Sequence, residues 1–295
     1  MTEHEVLARM FEDKRGHLKS VAYRMLGSLT EAEDAVQESW LRLARTESDG
    51  IDNLGGWLTT VVGRVCLDML RARKSRPEDS IEDHHLPDPL ISFEDETDPE
   101  RQVLLADSVG LALLVVLESL SPAERLSFVL HDMFAVPYEQ IAPIVGRTPQ
   151  TARKLASQAR RRVQGQAQVS DADPHQQRRV VDAFLAAAHD GDFDELLRIL
   201  DPDVVLRADA GADGMRVFRG SHAVAGLATT FQRMARLYAA HHAVVNGAAG
   251  LVNTSSDGVV RSVFAFTIVN GRITTMDLLS DPARLEGIDA SAARN

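Results

Sequence analysis

Residues 147–163, RTPQTARKLASQARRRV, carry six cations and no carboxylate: Arg147, Arg153, Lys154, Arg160, Arg161 and Arg162. Cations at that density bind phosphate oxygens, and Arg or Gln side chains make bidentate contacts with guanine or adenine. Thr148 suits an N-cap and Pro149 a first helical turn. Ala152, Leu155, Ala156, Ala159 and Val163 follow at helical spacing, which predicts one amphipathic helix with a basic outer face. Gln150, Thr151, Arg153, Lys154 and Ser157 then face outward in its first turns, where base edges come within reach, and Arg160 to Arg162 are placed for phosphates, which fix register without reading sequence. The plainer alternative is a solvated basic face, although surface helices ordinarily mix both signs of charge.

A second set of reactive side chains lies near the other end: Arg207, Asp209, His222, His241 and Asp277, in or beside strand-like runs. Carboxylates and imidazoles there raise the question of acid–base chemistry. They show neither triad nor metal-ligand spacing, and adjacent His241 and His242 point to opposite faces of a strand. No metal and no cofactor is predicted.

The basic helix needs a scaffold, and the segment before it supplies one. Ser121-Pro122-Ala123-Glu124 is a capping box with proline at the first helical position. It opens SPAERLSFVLHDMF, with Leu126, Val129, Leu130 and Phe134 on the core side. Pro137 ends that pattern, and YEQIAPIVG forms a short helix closed by Gly146. A short helix, a glycine turn and a basic helix make a helix-turn-helix, whose second helix enters the major groove.

A first helical block covers residues 1–76. In EAEDAVQESWLRLA, Ala32, Ala35, Val36, Trp40 and Leu43 share one face, and Glu31, Asp34, Gln37, Glu38 and Arg42 the other. The next helix, GGWLTTVVGRVCLDMLRARKSR, has Trp57, Val61, Val65 and Leu67 to Leu70 on its apolar side. It ends in Arg64, Arg71, Arg73, Lys74 and Arg76 against Asp68 alone. Cations complement the end of a helix dipole, but five within thirteen residues exceed that need and predict a phosphate-facing surface.

Between the blocks lies the chain's acidity. Of a net charge of −11, residues 78–107 carry −10, with eleven carboxylates against Arg101. That composition reads as a linker over 77–107, leaving a helical domain over 108–166. Two roles stand: a solvated spacer, or an acidic strand that imitates a nucleic-acid backbone. Leu86 and Leu90, bracketing the prolines of LPDPL, favour the second. The single cysteine, Cys66, excludes an internal disulfide and suits a reducing compartment. No apolar run approaches the roughly 20 residues of a membrane span, and the N-terminus lacks a signal-peptide core. A soluble cytoplasmic protein is expected, with no membrane partner.

QVSDADPHQQ breaks the helical pattern, and a third domain is expected over 175–295. It opens with helices, RRVVDAFLAAAHDGD and FDELLRIL. The runs DVVLRADA, MRVFRG, HAVVNGAAGLVNTS, VVRSVFAFTIV and RITTMDLLS then alternate like strands, with a hairpin signal at Asn270 and Gly271. Helices first and antiparallel strands after predict an α+β domain.

These motifs carry a resemblance. EAEDAVQESWLRL and WLTTVVGRVCLDMLRARKSR resemble region 2 of the extracytoplasmic-function sigma factors of the sigma-70 family. SPAERLSFVLHDMF with YEQIAPIVGRTPQTARKLASQARRRV resembles region 4. One departure is Val65, where many relatives have asparagine. The last domain resembles a SnoaL-like, ketosteroid-isomerase-like cone, through AFLAAAHDGDFDELLRILDPDVVLRAD and FRGSHAVAGLATTF. LPDPL and SDPARL sit where a sigma subgroup with such an extension has a linker motif and a tail motif.

The resemblance implies two all-α sigma domains followed by an α+β cone. It implies core RNA polymerase as partner, docked through Asp34, Gln37 and Glu38, and promoter DNA read at the minus-10 element by the first block and at the minus-35 element by the second. The family's linker threads polymerase channels lined for nucleic acid. The cone is implied to regulate in cis, in place of a separate anti-sigma protein. Leu86, Asp88 and Leu90 would then meet Asp281, Arg284 and Leu285. Such factors are not enzymes, though relatives of the cone use pocket carboxylates as general bases, and a small ligand in the cone stays open. The alternative is a stand-alone helix-turn-helix regulator with a ligand-sensing domain. A pocket enzyme with DNA-binding appendages is the third reading.

Overall fold

The computed structural model describes residues 3–46, 53–75, 85–93, 109–166, 170–171, 173–286 and 288. They form two compact units. One comprises Met1–Ser80, Pro99–Asp107 and Leu114–Ala167, and the other Ile81–Asp98, Ser108–Leu113 and Gln168–Asn295.

In the helical unit, α1 (Glu3–Leu26), α2 (Leu29–Ala44) and α3 (Leu54–Ser75) pack on one another. Ser28 caps α2 by accepting from the Glu31 amide. The buried stripe of α2 is Ala32, Ala35, Val36, Ser39 and Leu43, the period seen in the sequence, and Trp40 stays half-buried, its ring 5.1 Å from Phe11. In α3 the buried stripe runs through Leu58, Val62, Val65, Cys66 and Leu70. Trp57 and Val61, expected on the apolar side, lie one position off that stripe and line an arginine-rich groove with Arg42, Arg45 and Arg64.

Then come α4 (Leu111–Glu118), α5 (Pro122–Phe128), α6 (Tyr138–Val145) and α7 (Pro149–Gln166). The capping box of α5 is formed, with the Ser121 amide donating to Glu124 Oε2 at 3.0 Å and the Glu124 amide to Ser121 Oγ at 3.4 Å. The helix expected to run on through Phe134 instead widens into a π-turn over Val129–Met133. It closes at Ala135, whose φ is +53°, with the Val136 amide bonded back to Leu130 O at 2.9 Å.

The sequence separates the two helical blocks by some thirty residues, yet they form one unit. Buried Arg125 donates from Nε to Leu117 O at 2.7 Å and from Nη1 to Met25 O, at the end of α1, at 2.8 Å. The Phe134 ring takes the His17 ring edge-on at 5.1 Å and the Arg24 guanidinium at 4.6 Å. Gly63 lets α3 approach so closely that an added Cβ would stand 3.1 Å from Leu130 Cδ1.

The second unit is α+β. α8 (Pro174–Asp190), α9 (Phe193–Ile199), α10 (Ser221–Ala225) and α11 (Ala228–Leu237) pack with a seven-stranded sheet ordered β1-β4-β5-β6-β7-β2-β3. Its strands are β1 (Ile91–Ser92), β2 (Leu200–Asp209), β3 (Met215–Arg219), β4 (Ala239–Val245), β5 (Ala248–Thr254), β6 (Val260–Val269) and β7 (Arg272–Leu279), and α12 (Pro282–Leu285) follows. Neighbouring strands run antiparallel except β2 with β7. Phe184, Phe231, Leu206, Leu251, Phe264, Phe266 and Met276 meet in the core between helices and sheet. The Asn270–Gly271 hairpin forms, and the Asp171 carboxylate accepts both turn amides at 3.0 Å. HAVVNGAAGLVNTS, read as one run, folds back at Asn246 and Gly247, whose φ values are +49° and +78°.

Candidate nucleic-acid interface and linker clamp

α6 ends at Gly146, in the left-handed region at φ +68°, and Thr148 Oγ1 accepts from the Thr151 amide at 3.2 Å to start α7. Ala152, Ala156 and Ala159 are fully buried, which turns the basic side outward. Arg147, Gln150, Arg153, Lys154 and Arg161 are exposed, and Thr151, Ser157 and Arg160 half-buried. The Arg153 guanidinium lies 5.3 Å from the Tyr138 ring centre, a contact that leaves its donors to solvent. The basic triplet is divided. Arg160 is paired to Asp132, from Nε at 2.7 Å, and Arg162 reaches the capping-box carboxylate of Glu124 at 3.3 Å. The carboxylates missing from α7 are thus supplied by α5 and its π-turn, and Arg161 keeps its charge outward.

On α2, Asp34 and Gln37 are exposed, and half-buried Glu38 accepts from Arg42 Nε at 2.9 Å. On α3, Arg64, Arg71 and Lys74 are exposed. Arg71 stands 3.9 Å from Asp68, and Arg73 donates to Glu31.

The linker motif has a tertiary role. In LPDPL every residue except Asp88 is buried, and the strand it leads into, β1, pairs with β4 through Ile91 with Val245 and Ser92 with Val244. The Leu90 amide donates to Asn246 Oδ1 at 3.0 Å, and the Asn246 amide returns a bond to Leu90 O at 2.8 Å. Residues 85–93, read as linker, therefore fold with the α+β unit.

The tail motif closes on the same segment. Arg284 Nη2 donates to Leu86 O at 2.5 Å and to Asp88 Oδ1 at 2.6 Å, and Nη1 donates to Asp209 Oδ2 at 2.9 Å. The fully buried Asp209 carboxylate also accepts from the amides of Leu86 at 2.7 Å and Gly211 at 3.0 Å, and its Oδ1 lies 3.3 Å from His85 Nδ1. Leu285 is buried. Asp281 does not reach the linker, because its side chain caps α12 through the Ala283 amide at 3.0 Å. Sequence reasoning gave Leu86, Asp88 and Arg284 but took Asp209 for a pocket residue, and it missed His85 and Asn246. The signal available for Asp209 was the alternation of Val204, Leu206 and Ala208, which puts Arg207 and Asp209 on the opposite face.

That face matters for the acid–base candidates. The cavity between helices and sheet, about 320 Å³, is lined by Phe184, Phe231, Leu251, Asn253 and Phe264 among others, and by none of Arg207, Asp209, His222, His241 or Asp277. Arg207 and Asp277 are register partners joined at 2.6 and 3.0 Å. Burial pushes the Asp277 carboxyl above its ordinary value, against the pull of Arg207. His241 Nε2 lies 2.9 Å from Thr254 Oγ1, while His242, on the other face, pairs with Asp182 at 2.9 Å. His222 packs against Phe193. Among the described residues no cluster of three or more metal-ligating side chains occurs, and no helix is long and apolar enough to cross a membrane.

Residues 10–76 match the family model for sigma-70 region 2, and residues 110–163 that for sigma-70 region 4. The probable ECF RNA polymerase sigma factor SigI of Mycobacterium tuberculosis is 37% identical across an alignment that covers 98% of each chain. The ECF RNA polymerase sigma factor SigJ of Mycobacterium tuberculosis is 37% identical over 290 residues, covering 94% of this chain and 92% of that one. The crystal structure of Mycobacterium tuberculosis SigJ superposes with a TM-score of 0.75 at 33% identity, over 97% of this chain and 99% of that one.

Proposed function

The chain belongs to the extracytoplasmic-function RNA polymerase sigma factors of the sigma-70 family, and we propose that its α+β domain regulates promoter recognition in cis through the clamp on residues 85–93. A sigma factor directs core RNA polymerase to promoters, so core polymerase and promoter DNA are the partners, and the cytoplasm the place of action. In this reading α7 presents Arg147, Gln150, Thr151, Arg153, Lys154 and Ser157 to the minus-35 element, with Arg161 on phosphate. Arg64, Arg71 and Lys74 serve the minus-10 element, and Asp34, Gln37 and Glu38 serve the polymerase. Arg73 and Arg160 act first as ion-pair partners within the helical unit. This reading gives the α+β domain no catalytic role: none of Arg207, Asp209, His222, His241 and Asp277 lines the cavity.

The observation that carries the regulatory reading is Arg284 bound to Leu86 O, Asp88 and Asp209 at once. The clamped segment lies, in sequence, between the two DNA-binding blocks. Holding residues 85–93 on the α+β domain shortens the length of free chain that joins the two blocks.

In-vitro transcription with purified core enzyme tests both levels. Promoter-specific transcripts that need this chain support the sigma role. A gel shift equally strong without core polymerase would favour a stand-alone regulator. Truncation after residue 279 should alter transcript yield, and truncation after about 170 should alter it differently. Transcription at the intact chain's level from both truncations would remove the cis-regulatory reading and leave the sigma role standing.

A further inference from the structure

We propose that Tyr138, the first residue of α6, is a positioning residue for DNA reading: its ring, backed by His131, holds the Arg153 guanidinium in the pose that meets a guanine edge of the minus-35 element. The inference rests on the reading of α7 as the minus-35 helix, and it names what aims one of that helix's side chains. A free arginine has several rotatable bonds, and the freedom it keeps before binding is lost when its fork meets a base. Arg153 is exposed in the first turns of α7, the part of a recognition helix that reaches base edges. Its guanidinium lies over the Tyr138 ring, 5.3 Å from the ring centre. A guanidinium held on an aromatic face keeps the in-plane donors at its rim open. Two parallel donors in one plane match the O6 and N7 acceptors of guanine.

The ring is itself held in place. Tyr138 is buried, and the His131 ring stacks on it with centres 3.8 Å apart and planes at 25°. The imidazole is fixed in turn, because His131 Nδ1 lies 3.0 Å from Val136 O. His131 belongs to the π-turn over Val129–Met133, which closes at Ala135 in the left-handed region, a conformation that costs energy in a residue other than glycine. Single π-turns within helices are frequent at functional sites. The extra residue that this one inserts sets the direction of its side chains, His131 toward Tyr138 and Asp132 toward Arg160. Asp132 first, and then a hydrogen bond with the Tyr138 side chain, raise the Arg160 guanidinium above its ordinary value. Tyr138 thus touches two cations of α7 and leaves them in different states: Arg160 is engaged within the helical unit, and Arg153 keeps its donors outward.

The test is base preference, which a merely structural role would not move at one position alone. Core polymerase carrying the full-length chain is incubated with a duplex library randomised over the minus-35 and minus-10 elements, and the bound fraction is sequenced. The intact chain should enrich guanine at one minus-35 position, and Arg153→Ala should lose that enrichment. Tyr138→Leu should reduce it at the same position by roughly two- to fivefold, the worth of one cation–ring contact, with the other positions and core polymerase binding unchanged. Tyr138→Phe retains the ring face and should retain the enrichment. His131→Ala should give a smaller reduction at that position. Tyr138→Met serves if Tyr138→Leu does not fold by circular dichroism. An unchanged profile in the folded Leu or Met variant, a loss spread equally over all minus-35 positions, or the same loss in Tyr138→Phe would each overturn the proposal. If no position depends on Arg153, its base-reading role fails and the positioning role with it. If a position depends on Arg153 and not on Tyr138, the positioning role alone fails and the reading of α7 stands.

Discussion

Arg284 donates two hydrogen bonds to one oxygen of Asp88, from Nε at 3.0 Å and from Nη2 at 2.6 Å, across 196 positions of sequence. An ion pair of two exposed side chains contributes little to stability. This one differs because the same guanidinium reaches the fully buried Asp209, whose charge is otherwise met by backbone amides and by His85. Removing one partner of a buried pair leaves an uncompensated charge, which costs far more than an exposed contact.

Arg284→Ala should therefore loosen residues 85–93 before it unfolds the domain. The expected loss is about 3–5 kcal/mol, because Asp209 is left buried without its cation. Amide exchange at Leu86 and Leu90 should accelerate, and promoter-driven transcription should shift from the intact chain's level. Asp88→Ala should act in the same direction and more weakly, since Asp88 keeps contact with solvent. Unchanged exchange at Leu86 in Arg284→Ala would show that the segment is held by other means.

On α7 the six cations should separate by what they already bind. Arg153→Ala is expected to weaken minus-35 binding by about 1–3 kcal/mol, the worth of one base contact, with core polymerase binding intact. Arg161→Ala should weaken binding to all sequences and reduce the salt slope by about one. Arg160→Ala should change the slope less, because its guanidinium is paired with Asp132. Equal effects of all three on promoter and polymerase would point to a fold defect instead.

The exposed side of α2 gives a third test. Asp34→Lys with Glu38→Lys reverses charge on residues that carry no core packing, and Glu38 has only the local bond from Arg42 to lose. Co-purification with core polymerase should fall while the thermal midpoint stays within about 1 °C, as expected for surface changes. Normal co-purification would take these residues out of the polymerase interface.

Why α7 was legible and the clamp only partly so follows from the range of the signals. The Gly146 turn, the Thr148 cap and the buried alanines Ala152, Ala156 and Ala159 all lie within one continuous stretch of fourteen residues, so sequence spacing is enough to place them. The order of helices and strands in the last domain is likewise local. Residues 85–93 pair with positions on β4 and α12 that lie far along the chain, and nine residues are too few to show a strand period between two prolines. Alternation showed that Asp209 faces away from Leu206 and Ala208, but not which of the two faces the helices cover. Joining of the helical blocks was invisible for a similar reason. Arg125 reads as a surface residue of an amphipathic helix, and only the fold brings the Met25 carbonyl to it.

Acid should expose one further joint, in the packing of α1 on α2. Burial of Glu33 opposes its charge, but bonds from Arg15 and from Lys19, the latter at 3.1 Å, outweigh that and hold the carboxyl below its ordinary value of 4.5. A carboxyl lowered on folding adds stability above the unfolded-state value, and that contribution is lost as pH falls through the folded one. The intact chain should lose stability to urea as pH drops below about 4.5, and Glu33→Gln should start lower and flatten that decline. Parallel pH profiles for the two proteins would rule out Glu33 as the titrating group.

The last test concerns the joint between the two helical blocks. Arg125 is buried, and burial lowers its guanidinium to about 10, so it remains charged at neutral pH. Its charge is met by two carbonyls, Leu117 O and Met25 O, the second at the negative end of α1, and by the nearby Glu118 carboxylate. Arg125→Met keeps an unbranched apolar stem and removes both donors, leaving two carbonyls short of a partner at about 1–3 kcal/mol each. Arg125→Lys keeps the charge but not the planar fork that serves two acceptors, so it should fall between Met and the natural residue. Cys66 provides the readout. It is fully buried on α3, one turn beyond Gly63, where the helix meets Leu130, and burial pushes its thiol well above the ordinary range. A thiol reagent reaches it only when the unit opens, so its labelling rate reports opening directly. Labelling should be faster in Arg125→Met than in Arg125→Lys, and faster in both than in the intact chain. It should also rise when core polymerase and promoter DNA are added, if promoter binding parts the blocks. A labelling rate unmoved by Arg125→Met would show that the blocks are held together by apolar contacts such as Leu130 on α3, with the arginine only stabilising α5.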